Sequence, residues 1–207
     1  LKEINAFEEI KGVQGLNVTI PYKELVIPFL TGLSKEAQEI GAVNTISIDS
    51  AERIGYNTDV YGFEHALVPL WDGREKPKSA LVLGTGGAAK AVWYVLEKLN
   101  ISYLKVSRSR GDLLYEEVDQ DVISKHQLII NTTPLGMSPH IDQCPAIPYE
   151  ALTANHILFD LIYNPEVPLF LKQGEARGAT IKNGLEMLEL QAEKSWSIWT
   201  STSVNEK

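Results

Sequence analysis

Two charged side chains, Lys23 and Asp59, stand where the sequence could do proton chemistry. Lys23 closes the stretch GLNVTIPYK (15–23), in which an apolar, β-type run ends in Pro21 and Tyr22 and then delivers a lysine. Such a lysine either lays its stem over a helix start with its charge in water, or brings an ammonium to a reacting centre. Asp59 lies in GYNTDVYGF (55–63), in the first turn of an expected helix. Capping by itself accounts for Asn57, Thr58 and Asp59, because all three types favour the positive end of a helix. Reduction of a ketone by a hydride donor also needs a proton for the carbonyl oxygen, which an ammonium can give. Burial favours the neutral amine, whereas a nearby carboxylate favours the ammonium and fixes its direction. The sequence leaves that balance open.

A hydride donor has a place to bind. ALVLGTGGAAKAV sets Gly84, Gly86 and Ala89 in GxGxxA spacing, after an apolar strand and at the opening of a helix. Glycine lets the backbone turn tightly and approach a pyrophosphate, whose charge then sits against unpaired helix N–H groups. At the end of the next strand an NAD site carries Asp or Glu for the ribose 2′-OH. Here the chain reads VSRSRGD, offering Ser107, Arg108, Ser109 and Arg110, an arginine fork among hydroxyls that suits a 2′-phosphate and hence NADP. Asp112 is the nearest acid. NTTPLGM (131–137) follows another apolar strand and brings Thr132 and Thr133 to the sheet edge where ligands collect in open α/β folds.

The elements that must position these residues fall into two groups. Residues 15–20 alternate as a strand, and 22–30 read as a helix with Pro28 as a penalty. Ser34 caps a short helix over 35–40 that Gly41 ends. Strands over 42–48 and 53–57 flank the polar DSAE turn as a hairpin, and apolar residues at 60, 63, 67 and 70 mark an amphipathic helix. WDGREKPKS (71–79) is the clearest boundary. Beyond it, apolar strands at 80–84, 103–107, 128–133, 157–163 and 179–183 alternate with helices, the pattern of a parallel sheet covered on both faces. The fold class is therefore α/β with two lobes. An N-terminal αβ substrate domain spans 1–71, a Rossmann-type doubly wound parallel-sheet NADP domain spans 80–183, and a helical segment, 184–207, returns to the first lobe. Met187 and Leu188 on that segment are expected in the core. Trp196 and Trp199, three apart, are expected to pack back on the first lobe.

The totals exclude several classes of partner. Nineteen basic against 27 acidic residues give a net charge of −8, without a basic patch, which opposes nucleic acid and membrane surfaces. No apolar run approaches the ~20 residues of a transmembrane helix. One cysteine, Cys144, excludes an internal disulfide and fits a reducing cytoplasm. His65, His126, His140 and His156 show no metal-ligand spacing and are read as structural or solvent-facing. A small-molecule substrate, as monomer or homodimer, is the expected partnership.

Seven segments in register, NVTIPYKE, GAVNTI, GYNTDVYGF, GTGGAAKA, NTTPLGM, DLIYNP and NGLEMLELQA, resemble the shikimate dehydrogenase family over almost the whole chain. The resemblance implies reversible NADPH-dependent reduction of 3-dehydroshikimate to shikimate, a step of aromatic amino-acid synthesis. It implies that Lys23 is the catalytic lysine and Asp59 its partner, and that Thr19, Asn44, Tyr163 and Gln191 contact the polyhydroxy acid. It places Gly84, Thr85, Gly86, Gly87 and Ala88 at the pyrophosphate, Arg108 at the 2′-phosphate, with Ser107-Arg108-Ser109 in place of Asn-Arg-Thr, and Leu161 and Gly184 beside the nicotinamide. A second basic residue common in the family is replaced by Asp112, with Arg110 as compensation. Family members open with a βα unit whose Ser-x-Ser segment binds the substrate carboxylate, and no such segment precedes Gly15 here. Its loss would weaken substrate binding and expose a sheet edge. A quinate/shikimate enzyme using NAD, and a non-catalytic nucleotide-binding homologue, are the rival readings.

Overall fold

The computed structural model describes residues 12–202. The stretch on which the expectation of a missing carboxylate anchor depends, and residues 203–207 of the terminal segment, lie outside the described residues.

The first sheet has four short strands in the order β1-β3-β4-β2. They are β1 (Gly15–Asn17), β2 (Gly32–Leu33), β3 (Thr45–Asp49) and β4 (Glu52–Tyr56). β3 and β4 form the expected hairpin around residues 50–51, β1 pairs antiparallel with β3, and β2 runs parallel to β4. Helix α1 (Lys35–Ile40) starts on the Ser34 Oγ, which accepts from the Ala37 N–H, and stops at Gly41 in the left-handed region (φ 67°). Both ends lie where the sequence puts them.

Residues 22–30 depart from expectation. They form turns followed by a 3-10 turn, Ile27–Phe29, instead of an α-helix. Pro28 enters at the start of that 3-10 turn, where its missing N–H costs little, and the same residue would break a longer helix. The tight winding leaves the Lys23 carbonyl free to accept from the Val43 N–H (2.8 Å), which straps the lysine to the approach to β3.

The second sheet is parallel throughout, in the order β10-β9-β8-β5-β6-β7. Its strands are β5 (Ser79–Leu83), β6 (Ser102–Ser107), β7 (Leu113–Leu114), β8 (Leu128–Asn131), β9 (Ile157–Asp160) and β10 (Thr180–Lys182). Helices α3 (Gly87–Lys98), α4 (Gln120–Lys125) and α5 (Leu169–Glu175) cover it. The strand order reverses direction at β5, which places a crevice between the turns after β5 and β8. Strands β8 and β9 stop at Asn131 and Asp160, short of the expected 133 and 163, because the chain turns away there to form the crevice walls.

Helix α2 (Asp59–Leu67) joins the two sheets. Val60, Phe63, Ala66 and Leu67 share one apolar core with Val82, Val92, Leu96 and Phe159 of the second sheet layer. Phe63 meets the Phe159 ring edge-on at 5.1 Å. Gly62 lets α2 touch α6 (Leu185–Thr202), since a methyl group there would overlap the Met187 backbone carbonyl. Met187 is buried as expected, while Leu188 is exposed. The two tryptophans separate in the same way. Trp199 donates from Nε1 to the Ile46 carbonyl (2.9 Å) and so holds α6 on the first sheet, whereas Trp196 is 66% exposed.

Candidate active site

Asp59 opens α2, and its Oδ2 accepts from Lys23 Nζ at 2.6 Å. Both side chains are largely buried, 15% and 12% exposed. Asp59 Oδ1 accepts from Asn44 Nδ2 at 3.0 Å, so neither carboxylate oxygen is left unpaired. Asn44 lies just before β3 and has 4% exposure; its Nδ2 also reaches Thr58 Oγ1 (2.9 Å) and Gln191 Oε1 (3.3 Å), and its Oδ1 accepts from the Thr58 N–H (2.7 Å). Gln191, on α6, donates from Nε2 to the Leu188 carbonyl. The cluster thus unites the lysine turn, the start of β3, the start of α2 and the middle of α6.

Four of the six residues expected at the proton and substrate positions, Lys23, Asn44, Asp59 and Gln191, meet in this cluster. Thr19 and Tyr163 are exposed and make no side-chain hydrogen bond with it. The sequence reading misses three hydroxyls. Thr45 Oγ1 and Ser195 Oγ lie 2.7 Å apart, and Thr58 Oγ1 is 3.0 Å from Ser195. Ser195 stands four residues after Gln191 on α6 and therefore on the same helix face, a pairing that polar periodicity could have shown.

The glycine turn lies between β5 and α3. Gly84 has φ 107°, and a Cβ there would come within 2.7 Å of Thr132 Oγ1 and 2.9 Å of Thr133 Cγ2, so the turn after β8 packs directly on it. Gly86 is the N-cap of α3 and supplies no side chain to the helix N–H groups. A Cβ on Gly86 or Gly87 would stand in open space, with Thr85 exposed beside it. That opening, with helix N–H groups at its floor, fits a pyrophosphate.

Beyond β6, the Ser107 Oγ accepts from the Ser109 and Arg110 N–H groups (3.2 and 2.6 Å). This serine turn leaves Arg108, Ser109 and Arg110 exposed. Asp112 folds back instead, its Oδ2 accepting from the Lys105 N–H at 2.8 Å. One carboxylate oxygen of Asp112 is therefore held by backbone, in a turn where Arg108, Arg110 and Asp112 are all exposed. The donor set matches a phosphorylated ribose better than a free 2′-hydroxyl.

Helix α3 carries the link between the two groups of residues. Lys90 Nζ pairs with Glu24 at 2.8 Å, one residue beyond Lys23, and Lys98 pairs with Glu64 of α2 at 2.7 Å. Each exposed pair adds little stability by itself. They place the glycine-turn helix beside the lysine turn at its start and beside α2 at its end.

Asp160, at the end of β9, is wholly buried. Burial pushes its carboxyl up to about 7, against the opposing effect of hydrogen bonds from the Ile162 N–H and Asn131 Nδ2. An acid with a raised folded-state pKa binds more protons folded than unfolded, so its stabilising contribution is complete below the unfolded value and lost as pH rises to about 7. Chemical denaturation should therefore show the wild-type stability falling relative to Asp160→Asn by about 3 kcal/mol between pH 4.5 and 7.5. An unchanged difference across that range contradicts the assignment.

Residues 2–46 match the family described as the shikimate dehydrogenase substrate binding domain. A shikimate dehydrogenase (NADP(+)) of Gloeothece citriformis is 41% identical over 221 residues, covering 95% of this chain and 75% of the relative. Among solved structures, the shikimate 5-dehydrogenase of Thermus thermophilus in complex with NADP(H) and shikimate superposes with a TM-score of 0.82 at 32% identity, over 95% of this chain and 77% of that one. The quinate dehydrogenase of Corynebacterium glutamicum in complex with NAD gives 0.85 at 29% identity, over 97% and 77%. The chain belongs to the shikimate dehydrogenase family.

Proposed function

We propose that the protein is an NADP-dependent shikimate dehydrogenase, reversibly reducing 3-dehydroshikimate to shikimate. The observation that carries this reading is the Lys23–Asp59 pair, held at 2.6 Å in a polar cluster and joined through Glu24 and Lys90 to the helix that the glycine turn opens. Residues 1–71 serve as the substrate domain, 80–183 as the NADP domain, and 184–207 as the return segment that supplies Gln191.

Gly84 to Ala88 would hold the pyrophosphate and Ser107, Arg108 and Ser109 the 2′-phosphate, with Thr132 and Thr133 beside the cofactor and Leu161 and Gly184 bordering the nicotinamide. When bound there, NADPH would supply the hydride for the C3 carbonyl carbon. Lys23 Nζ gives its proton to the C3 oxygen and recovers it in the reverse direction. Asp59 aims the ammonium and balances its charge, and Asn44 holds Asp59 Oδ1 in turn. Asn44, Gln191, Thr19 and Tyr163 offer amide, hydroxyl and phenol groups to the ring hydroxyls. The enzyme acts in the cytoplasm as a monomer or homodimer. Among the described residues no helix is long and apolar enough to cross a membrane.

NADP is favoured over NAD by the engagement of Asp112 with the Lys105 N–H beside exposed Arg108. Steady-state assays with shikimate or quinate and with NADP or NAD test the assignment. Shikimate with NADP should give the highest kcat/KM. Preferential oxidation of quinate with NAD would replace it by the rival enzyme, and cofactor binding without turnover of either acid would replace it by a non-catalytic homologue.

A further inference from the structure

Asp160 takes no part in the proton chemistry, yet it is fully buried where two crevice walls begin. It lies opposite Asn131 in the parallel β8–β9 register. Its Oδ1 accepts from Asn131 Nδ2 (3.1 Å) and from the Ile162 N–H (3.0 Å), while Oδ2 has no partner among the described residues. Asn131, also fully buried, passes the constraint onward. Its Oδ1 accepts from the Thr133 N–H (3.0 Å) and hydroxyl (2.7 Å), and its backbone carbonyl accepts from the Leu161 N–H (3.0 Å). The Ile162 carbonyl in turn accepts from the Gly184 N–H (3.0 Å), at the start of α6. One carboxyl oxygen thereby joins the turn after β8, the turn after β9 and the start of α6.

The position of this brace along a bound dinucleotide follows from strand order. The pyrophosphate belongs at the glycine turn after β5, and Arg108 marks the side of β6 as the adenosine half. β8 and β9 lie on the opposite side of β5, so the turns that Asp160 joins border the other half. Thr133 presses on Gly84 from that side.

We propose that Asp160 is a positioning residue for the nicotinamide half of the cofactor, acting through Asn131 and Ile162 to hold the two crevice walls at a fixed separation. This inference rests on the dinucleotide reading above. It separates Asp160 from a residue that merely stabilises the fold, because its effect is confined to one half of the ligand.

The test compares two ligands by titration: NADPH, which spans both halves, and 2′,5′-ADP, which occupies only the adenosine half. Asp160→Ala should weaken NADPH binding roughly tenfold or more while leaving 2′,5′-ADP binding within about twofold. Asp160→Asn keeps an acceptor for both N–H donors and should hold NADPH binding within about threefold of the wild type. If Asp160→Ala does not fold, Asn131→Ala removes the other end of the same bond and is read by the same pair of titrations. Equal loss of both ligands, or loss of neither, in whichever variant folds overturns the proposal. A wild-type protein that binds neither ligand would instead overturn the dinucleotide reading itself.

Discussion

Lys23→Ala should lower kcat for shikimate roughly a thousandfold, the usual scale for removing a general acid–base group, and should leave NADPH affinity nearly unchanged. The reason is spatial. Lys23 belongs to the first sheet's side of the molecule and makes its contact with Asp59, whereas the glycine turn, the serine turn and the walls after β8 and β9 come from the second sheet. Removing the ammonium also strands a carboxylate that is only 12% exposed, which costs stability because a buried charge loses its partner. The double variant Lys23→Met with Asp59→Asn separates the two effects. It should recover stability, since neither residue is charged, without recovering turnover. Unaltered turnover in Lys23→Ala, checked by NADPH absorbance at saturating substrate, would remove the lysine from the mechanism.

Arg108→Ala should have the second large effect, on cofactor choice. A charged hydrogen bond to a phosphate contributes about 1.5 to 3 kcal/mol, so the kcat/KM ratio of NADP to NAD should fall about 10- to 150-fold. NAD-dependent turnover should hardly change, because the adjoining acid, Asp112, remains bonded to the Lys105 N–H in either case. Parallel losses with both cofactors would assign Arg108 to the stability of the β6 turn instead. Arg110 is exposed two residues on and is expected to supply the remaining charge, so the double variant Arg108→Ala with Arg110→Ala should show the larger fall in the ratio.

How far these features are legible depends on whether their causes are local. The cap at Ser34, the stop at Gly41 and the glycine turn from Gly84 are set by backbone conformations that particular residue types favour, and the sequence shows them directly. The regular alternation after residue 79 likewise yields the parallel sheet, because strands covered on both faces read as continuous apolar runs. Residues 22–30 mislead because Pro28 reads as a blemish in a helix, whereas it starts a 3-10 turn. Strands β2 and β7, two residues each, carry too little pattern to detect.

The site is legible only in part for a different reason. Lys23 and Asp59 are far apart in sequence, and no periodicity connects them; the family resemblance does. Thr58 reads as a helix cap, and its bonds to Asn44 and Ser195 depend on how α2 and α6 cross at Gly62. Asp160 reads as part of a strand, and its importance follows from the side-by-side register of β8 and β9 and from complete burial. Such properties come from tertiary packing. Trp199 and Trp196 make the same point on one helix, where a spacing of three residues leaves one ring bonded to Ile46 and the other in solvent.

The most direct test follows the hydrogen itself, using shikimate deuterated at C3 and unlabelled NADP. If the crevice apposes the two reactants as described, each NADPH formed carries one deuterium on its nicotinamide ring, with a reduced initial rate if hydride transfer limits turnover. NADPH that forms without deuterium, or an absence of NADPH from protein shown by titration to bind both ligands, would contradict direct hydride exchange in this site.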